Sequence, residues 1–122
     1  MRKIAEIELG GKNRTVKINN MTIANAEKQL GKGMMAVLNE GMSVEALHTL
    51  LWLGMRNFER KITLKEVYEM VEDSLDDGSV TFTQLLEFVL DLVMNAMGLA
   101  EQEEDSGNLT GTTKSPKPSE SA

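Results

Sequence analysis

The sequence predicts a mainly α-helical (α+β) domain of about five helices, two of them short, with an N-terminal β-hairpin. Two observations indicate this fold class. Alternation of apolar and polar residues, which is typical of strands, is confined to the N-terminal part, and helix-type apolar spacing dominates the rest. Capping residues precede the apolar stretches and glycines follow them, as at helix starts and ends. The composition then changes after residue 100, so we expect one domain over residues 1–100 and a disordered acidic and polar tail over residues 101–122.

The predicted hairpin pairs residues 3–9 with residues 14–18. Both stretches alternate, and Gly10 and Gly11 stand between them. A Gly-Gly pair suits a tight hairpin turn, because such turns need positive φ. A two-stranded hairpin is marginally stable by itself in water, so we expect it to lie on the helical body or to pair with another chain.

Two short helices are predicted next. The first follows the capping residues Asn19 and Asn20 and ends at Leu30. The second covers residues 34–39 and ends before Gly41.

The central helix is predicted over residues 43–57, with Ser43 as its N-cap. This stretch is the most apolar helix-compatible part of the chain and contains its only tryptophan and only histidine. One face is predicted to carry Val44, Leu47, Leu51, Gly54 and Phe58, and the opposite side Leu50, Trp52, Leu53 and Met55. A helix with apolar residues on so much of its surface needs cover on more than one side, so we expect the other elements to pack around it.

Two longer helices complete the domain, each opened by a capping box in which a hydroxyl and a side-chain carbonyl or carboxylate satisfy first-turn amides. The first box is residues 63–66, and its helix runs to the turn at residues 76–78. The second box is residues 81–84, and its helix runs to about Met97. The inward stripe of the last helix is predicted as Phe82, Leu85, Leu86, Val89, Leu90, Val93 and Met97, with Phe88, Leu92 and Met94 outside it.

The charge is unevenly distributed along the chain. The net charge is −6, but residues 1–32 carry +4 and residues 64–91 carry −7. An acidic protein is poorly suited to phosphate backbones, so we expect no nucleic-acid binding. We interpret the basic first third as a solvated hairpin edge protected by lysines. A small nucleic-acid-binding regulator that uses this region is the alternative.

No metal site is expected. The chain has no cysteine and one histidine, which excludes thiolate ligands and argues against a histidine zinc site. Residues 73–84 imitate a calcium-binding loop, with Asp73 at its first position and Gly78 at its sixth. Leu75 at the third position and Gln84 at the twelfth remove ligands that such a loop requires. We therefore interpret these residues as an acidic turn between two helices.

No enzyme, cofactor or membrane span is expected either. His48 lies in the most apolar helix without a serine or carboxylate pattern that would make it a base, so no catalytic residue is assigned. The glycine-rich residues 31–33 do not match a phosphate-binding loop. No apolar run approaches the length needed to cross a bilayer, and the N-terminus does not have the pattern of a signal peptide. We expect a soluble cytoplasmic protein.

The positive functional signal is apolar surface. The chain has nine methionines, whose flexible side chains suit surfaces that accept varied apolar partners. We predict that the protein self-associates and binds a client through residues outside the predicted stripes of the central and last helices: Trp52, Met55, Phe88, Leu92 and Met94. The alternative is that the hairpin and the short helices cover these residues.

The order of motifs resembles the small tail assembly chaperones of long-tailed phages, and the related proteins of prophages and gene transfer agents. The resemblance covers roughly residues 3–100. Its most specific part is LLWLGMRN, joined to ITLKEVYEMVED. The strand-Gly-Gly-strand pattern IAEIELGGKNRTVKI and the last helix TQLLEFVLDLVMNAMGL accompany it. The polar tail does not match the family pattern.

The resemblance implies a non-enzymatic role in tail assembly. Proteins of this family coat the aggregation-prone tape measure protein, help to recruit tail tube subunits, and leave before the tail is complete. The implied location is the host cytoplasm rather than the finished virion. A structural subunit that stays in the particle, such as a tail completion or connector protein, is the alternative.

Overall fold

The computed structural model describes residues 3–99, and it confirms the predicted fold class. Its elements are β1 (Ile4–Leu9), β2 (Lys12–Lys17), α1 (Asn20–Leu30), α2 (Met34–Glu40), α3 (Val44–Met55), α4 (Leu64–Asp76) and α5 (Phe82–Ala96). The predicted tail, residues 101–122, and the predicted domain boundary at residue 100 lie outside the described residues.

The hairpin turn consists of the two glycines alone. Gly10 has φ +63° and Gly11 has φ +82°, the backbone conformation that a two-residue type I′ turn requires. The two strands are antiparallel, with Leu9 opposite Lys12 and Ile4 opposite Lys17. Because side chains alternate between the faces of a strand, one face of the hairpin places Leu9 and Val16 in the core.

The hairpin lies on the helical body, which is the first of the two predicted alternatives. The Gly10 amide donates to the buried Ser74 hydroxyl of α4 at 2.9 Å. The Arg14 guanidinium donates to the Glu59 carboxylate at 2.7 Å. Near the end of β2, the Asn57 side-chain amide donates to the Lys17 carbonyl at 3.1 Å. These contacts fix the hairpin to α4 at its turn, and to the segment between α3 and α4 at its middle and its far end.

Helix α3 is the centre of the domain, as predicted. Helices α1, α4 and α5 and strand β2 all contact it. Gly54 lets β2 approach closely, since a Cβ at this position would lie 2.5 Å from Cγ1 of Val16. A bulkier residue would therefore push the hairpin away from the helix.

The predicted apolar face of α3 is wrong at both of its ends. Val44 is 54% exposed in the first turn. The helix ends at Met55, whose carbonyl accepts hydrogen bonds from the amides of both Phe58 and Glu59 in a tight turn. Phe58 consequently lies outside the helix and is 49% exposed. The spacing of apolar residues does not show where a helix ends, so the predicted face includes Phe58, which lies beyond the end of α3.

The predicted capping boxes are confirmed at the starts of α4 and α5. The Thr63 hydroxyl accepts from the Glu66 amide at 3.1 Å, and the Glu66 carboxylate accepts from the Thr63 amide at 2.9 Å. Thr81 and Gln84 make the same reciprocal pair at the start of α5. The two boxes fix where the last two helices begin.

Candidate partner-binding surface

Two of the five predicted partner-binding residues belong to the core, which corrects the sequence prediction. Met55 and Leu92 are both fully buried. Met55 is covered because neighbours surround α3 on several sides. Leu92 lies seven residues after Leu85 and three after Val89, so the three side chains share one helical face, which is buried. Neither residue can contact a partner while the domain is folded.

Trp52 is half-buried and holds the loop between α3 and α4. Its indole N–H donates to the Ile62 carbonyl at 3.0 Å, and its ring packs against the core. The Arg56 guanidinium lies 4.8 Å from the centroid of the ring, within the range of a cation–π contact. The side chain thus has a structural role that the sequence did not predict.

The last two predicted residues differ in what they contact. Phe88 is half-buried and packs against the buried cluster. Met94 is also half-buried, but within residues 3–99 it is not among the side chains that pack on that cluster. Of the five, Met94 is therefore the residue that best fits a surface role.

Met94 belongs to an apolar strip that we call the α5 flank, formed by Leu86, Leu90, Met94 and Met97. All four are half-buried, and their spacing places them along one side of the helix. Leu86 and Met97 touch the core, whereas Leu90, like Met94, does not within the described part of the chain. The strip is about 17 Å long at a rise of 1.5 Å per residue.

Sequence reasoning missed three of the four flank residues, Leu86, Leu90 and Met97, because it assigns them to the inward stripe. The buried side of α5 is centred on Leu85, Val89 and Val93, so Leu90 is rotated well away from it. The helix has apolar residues on too many sides for spacing alone to show which arc faces the core. The excess of apolar residues on α5 indicates only that one of its sides is left partly uncovered.

A polar groove lies at the C-terminal end of α3, between that end of the helix and the start of α1. Its volume is about 480 Å³. Arg56 and Arg60 line it together with the side chains of Asn25 and Asn57 and the 68%-exposed Met21. Within residues 3–99 neither arginine lies within ion-pair distance of a carboxylate, because the pairs formed there are Arg14–Glu59 and Lys32–Glu40. We call this the arginine groove.

Helix α4 carries a stripe of carboxylates directly opposite its buried side. Glu69, Glu72, Asp73 and Asp76 are exposed and follow the i, i+3, i+4, i+7 spacing of one helical face. Within residues 3–99 none of the four has an ion-pair partner. Each pair of like charges at such a spacing destabilises a helix by about 0.2–0.5 kcal/mol. The repulsion within this row, which we call the α4 acidic stripe, therefore lowers the stability of α4.

The calcium-like segment after the stripe has a different geometry from a calcium loop. Helix α4 continues through Asp76, so Asp73 and Leu75 are helical rather than parts of a loop. The Ser79 hydroxyl and amide both hydrogen-bond to Asp77 and hold the pKa of its carboxyl below the ordinary value of 3.8. Among residues 3–99 no group of three or more histidine, cysteine or acidic side chains is placed to hold a metal ion.

His48 is buried, with 5% of its surface exposed. Its Nδ1 lies 2.7 Å from the Val44 carbonyl oxygen and, since a carbonyl only accepts, carries the proton. The imidazole stacks on the Tyr68 ring with a centroid distance of 4.0 Å and an interplanar angle of 5°. The pair joins α3 to α4, which explains a histidine in the most apolar helix.

Comparison of the chain with protein-family models, with curated proteins and with solved structures finds no match. Within residues 3–99 no helix is both long enough and apolar enough to cross a bilayer.

Proposed function

We propose that this protein is a phage tail assembly chaperone, a non-enzymatic factor that binds the tape measure protein during tail morphogenesis. The observation that supports the proposal most directly is the α5 flank, an apolar strip that no other element of residues 3–99 buries fully. The resemblance of the motif order to tail assembly chaperones supplies the identity of the client.

The flank suits a helical client. An i, i+4 ridge of leucine and methionine packs against the apolar face of a second helix in the way that amphipathic helices dock on helical surfaces. Methionine at the centre of the ridge adapts to different side chains, which favours a client presenting many similar but unequal apolar segments. Shielding such segments keeps a long apolar chain from aggregating.

The strip is short, which favours many weak contacts over a single tight one. About 17 Å of helix is only a few turns, so each copy covers a small part of the client. Several copies bound along one tape measure protein would cover it while each remains easy to release. This matches a factor that acts in the host cytoplasm, can present tail tube subunits, and leaves before the virion is complete.

The test is co-expression with the tape measure protein, comparing Leu90→Glu and Met94→Glu with Met35→Glu as a matched control. Met35 is an apolar residue of α2 that is 51% exposed, and it does not belong to α5. We expect both flank variants to remain folded at the expression temperature, as thermal melting checks, and to leave the tape measure protein insoluble, while Met35→Glu keeps it soluble. Equal solubilisation by all three variants would contradict a role for the flank.

Composition of the finished particle provides a second test. A chaperone is released, so purified tails should contain none of this protein. Stoichiometric amounts in purified tails would instead support the tail completion or connector alternative.

A further inference from the structure

The arginine groove and the α4 acidic stripe are complementary surfaces on one molecule. The groove presents Arg56 and Arg60, neither of which forms an ion pair within residues 3–99, with the side-chain amide of Asn25 beside them as a hydrogen-bond donor. The Asn57 amide already donates to the Lys17 and Gly54 carbonyls. A planar guanidinium binds carboxylates through paired hydrogen bonds, and side-chain amides add further donors. The groove is therefore equipped for a ligand with several carboxylates.

The stripe has the chemistry of such a ligand. Its four carboxylates occupy one face of a regular helix, so they present negative charge as a fixed row. The last turn of α4 contains no basic residue, although the negative end of the helix dipole favours cations there. A cationic surface on another molecule would reduce the repulsion between the carboxylates and would place positive charge near the C-terminal end of the α4 dipole.

We propose that the arginine groove of one copy binds the α4 acidic stripe of a second copy. The occupant is another copy because the two surfaces are opposite in charge and neither forms an ion pair within residues 3–99. Met21, which is exposed beside the groove, supplies an apolar contact next to the charged ones. The two surfaces differ from each other, so the contact is a head-to-tail one unless two copies exchange it reciprocally.

This self-association uses other residues than the apolar ones the sequence predicted, and it leaves the α5 flank open for a client. Because exposed charges carry the contact, salt weakens it, with a screening length that falls to about 3 Å at 1 M ionic strength. The proposal does not depend on the identity of the client. If the flank variants solubilised the tape measure protein as well as the wild type does, the proposed contact between the groove and the stripe would not be affected.

The experiment is a charge-swap series on the full chain, with mass measured by light scattering and sedimentation over a range of concentrations and salt. The groove variant carries Arg56→Glu and Arg60→Glu, and the stripe variant carries Glu72→Lys and Asp76→Lys. We expect the wild type to self-associate at low salt, and each variant alone to have a dissociation constant at least about tenfold higher. Mixed in equal amounts, the two variants should assemble again, because each reversed surface then meets a complementary one.

Two controls keep the result specific. Lys28→Glu and Glu87→Lys reverse exposed charges on α1 and α5 outside both surfaces, and both should assemble like the wild type. Arg60→Glu alone preserves the contact of Arg56 with Trp52, so it reports on the groove if the double variant is unfolded. A monomeric wild type at low salt, unchanged assembly in the variants, or a mixture that stays monomeric would each overturn the proposal.

Discussion

Gly54 is the single residue on which the contact between α3 and the hairpin depends most directly. We expect Gly54→Ala to destabilise the domain by about 1–3 kcal/mol, because the new Cβ overpacks the site. It would lie 2.5 Å from Cγ1 of Val16 and 3.3 Å from the Lys17 carbonyl oxygen. Alanine gains up to about 1 kcal/mol over glycine in a helix interior, but Gly54 is next to the last residue of α3, so little of this gain offsets the overpacking.

Urea denaturation measures the effect, with Gly33→Ala as the control. Within residues 3–99, a Cβ at Gly33 would have one neighbouring atom closer than 4 Å, a Glu27 carboxylate oxygen at 3.8 Å. If Gly54→Ala proved as stable as the control, the close approach of β2 to α3 would be wrong.

Met55 and Leu92 allow the corrected core assignment to be tested residue by residue. We expect Met55→Ala and Leu92→Ala each to lower the free energy of unfolding by about 2–5 kcal/mol, the usual cost of a cavity at a fully buried site. Met94→Ala, on the same helix as Leu92 but half-buried, should cost under about 1.5 kcal/mol because less area is lost. Equal losses at all three positions in thermal or urea unfolding would show that the flank is part of the core.

Among the elements, α5 depends on its N-terminal cap. The Thr81 hydroxyl accepts from the Gln84 amide at 3.1 Å, whereas no hydrogen bond of the Thr83 side chain is formed within residues 3–99. We expect Thr81→Ala to cost about 0.5–2 kcal/mol, the usual loss when an N-cap residue is replaced by alanine. Thr83→Ala, two residues further along the same helix, should change stability by less than about 0.5 kcal/mol. Chemical denaturation of the two variants measures both free energies of unfolding. A larger loss of stability in Thr83→Ala than in Thr81→Ala would contradict the role of the cap.

Helices α4 and α5 differ in the residues on their exposed sides, which are acidic on α4 and partly apolar on α5. Helix α4 has one buried side and a row of carboxylates opposite it, so its orientation follows from its sequence. Helix α5 is apolar on its buried side and along its flank, so packing against α3 decides which arc is covered. Leu90 and Met94 lie on the arc of α5 that this packing leaves partly uncovered, and they form the middle of the α5 flank.

At the scale of the whole molecule, composition predicts where the folded part ends. Residues 101–122 contain a single sizeable apolar side chain, Leu109, and cannot bury enough surface to offset the entropy of ordering. We expect limited trypsin digestion to cleave at Lys114 first and to leave a fragment that contains residues 3–99. Mass spectrometry of the early products checks this. Cleavage within residues 3–99 before Lys114 would contradict the prediction.

Most of the fold can be predicted from local patterns in the sequence. Alternation and the Gly-Gly pair located the hairpin, and the capping boxes located the starts of α4 and α5. These signals are local, because they depend on hydrogen bonds within a few residues of chain. The apolar character of residues 43–57 likewise identified the central helix, since a helix with so few polar sides has to be surrounded.

Which apolar residues remain available to a partner depends on how the elements pack together. Met55 and Leu92 are core residues and Leu90 is a flank residue because of how β2, α1, α4 and α5 are arranged around α3. The arginine groove likewise combines residues of α1 with residues at the end of α3, which no sequence window contains together. Helical spacing gives the relative angles of side chains on one element, whereas burial depends on the neighbours that distant parts of the chain supply.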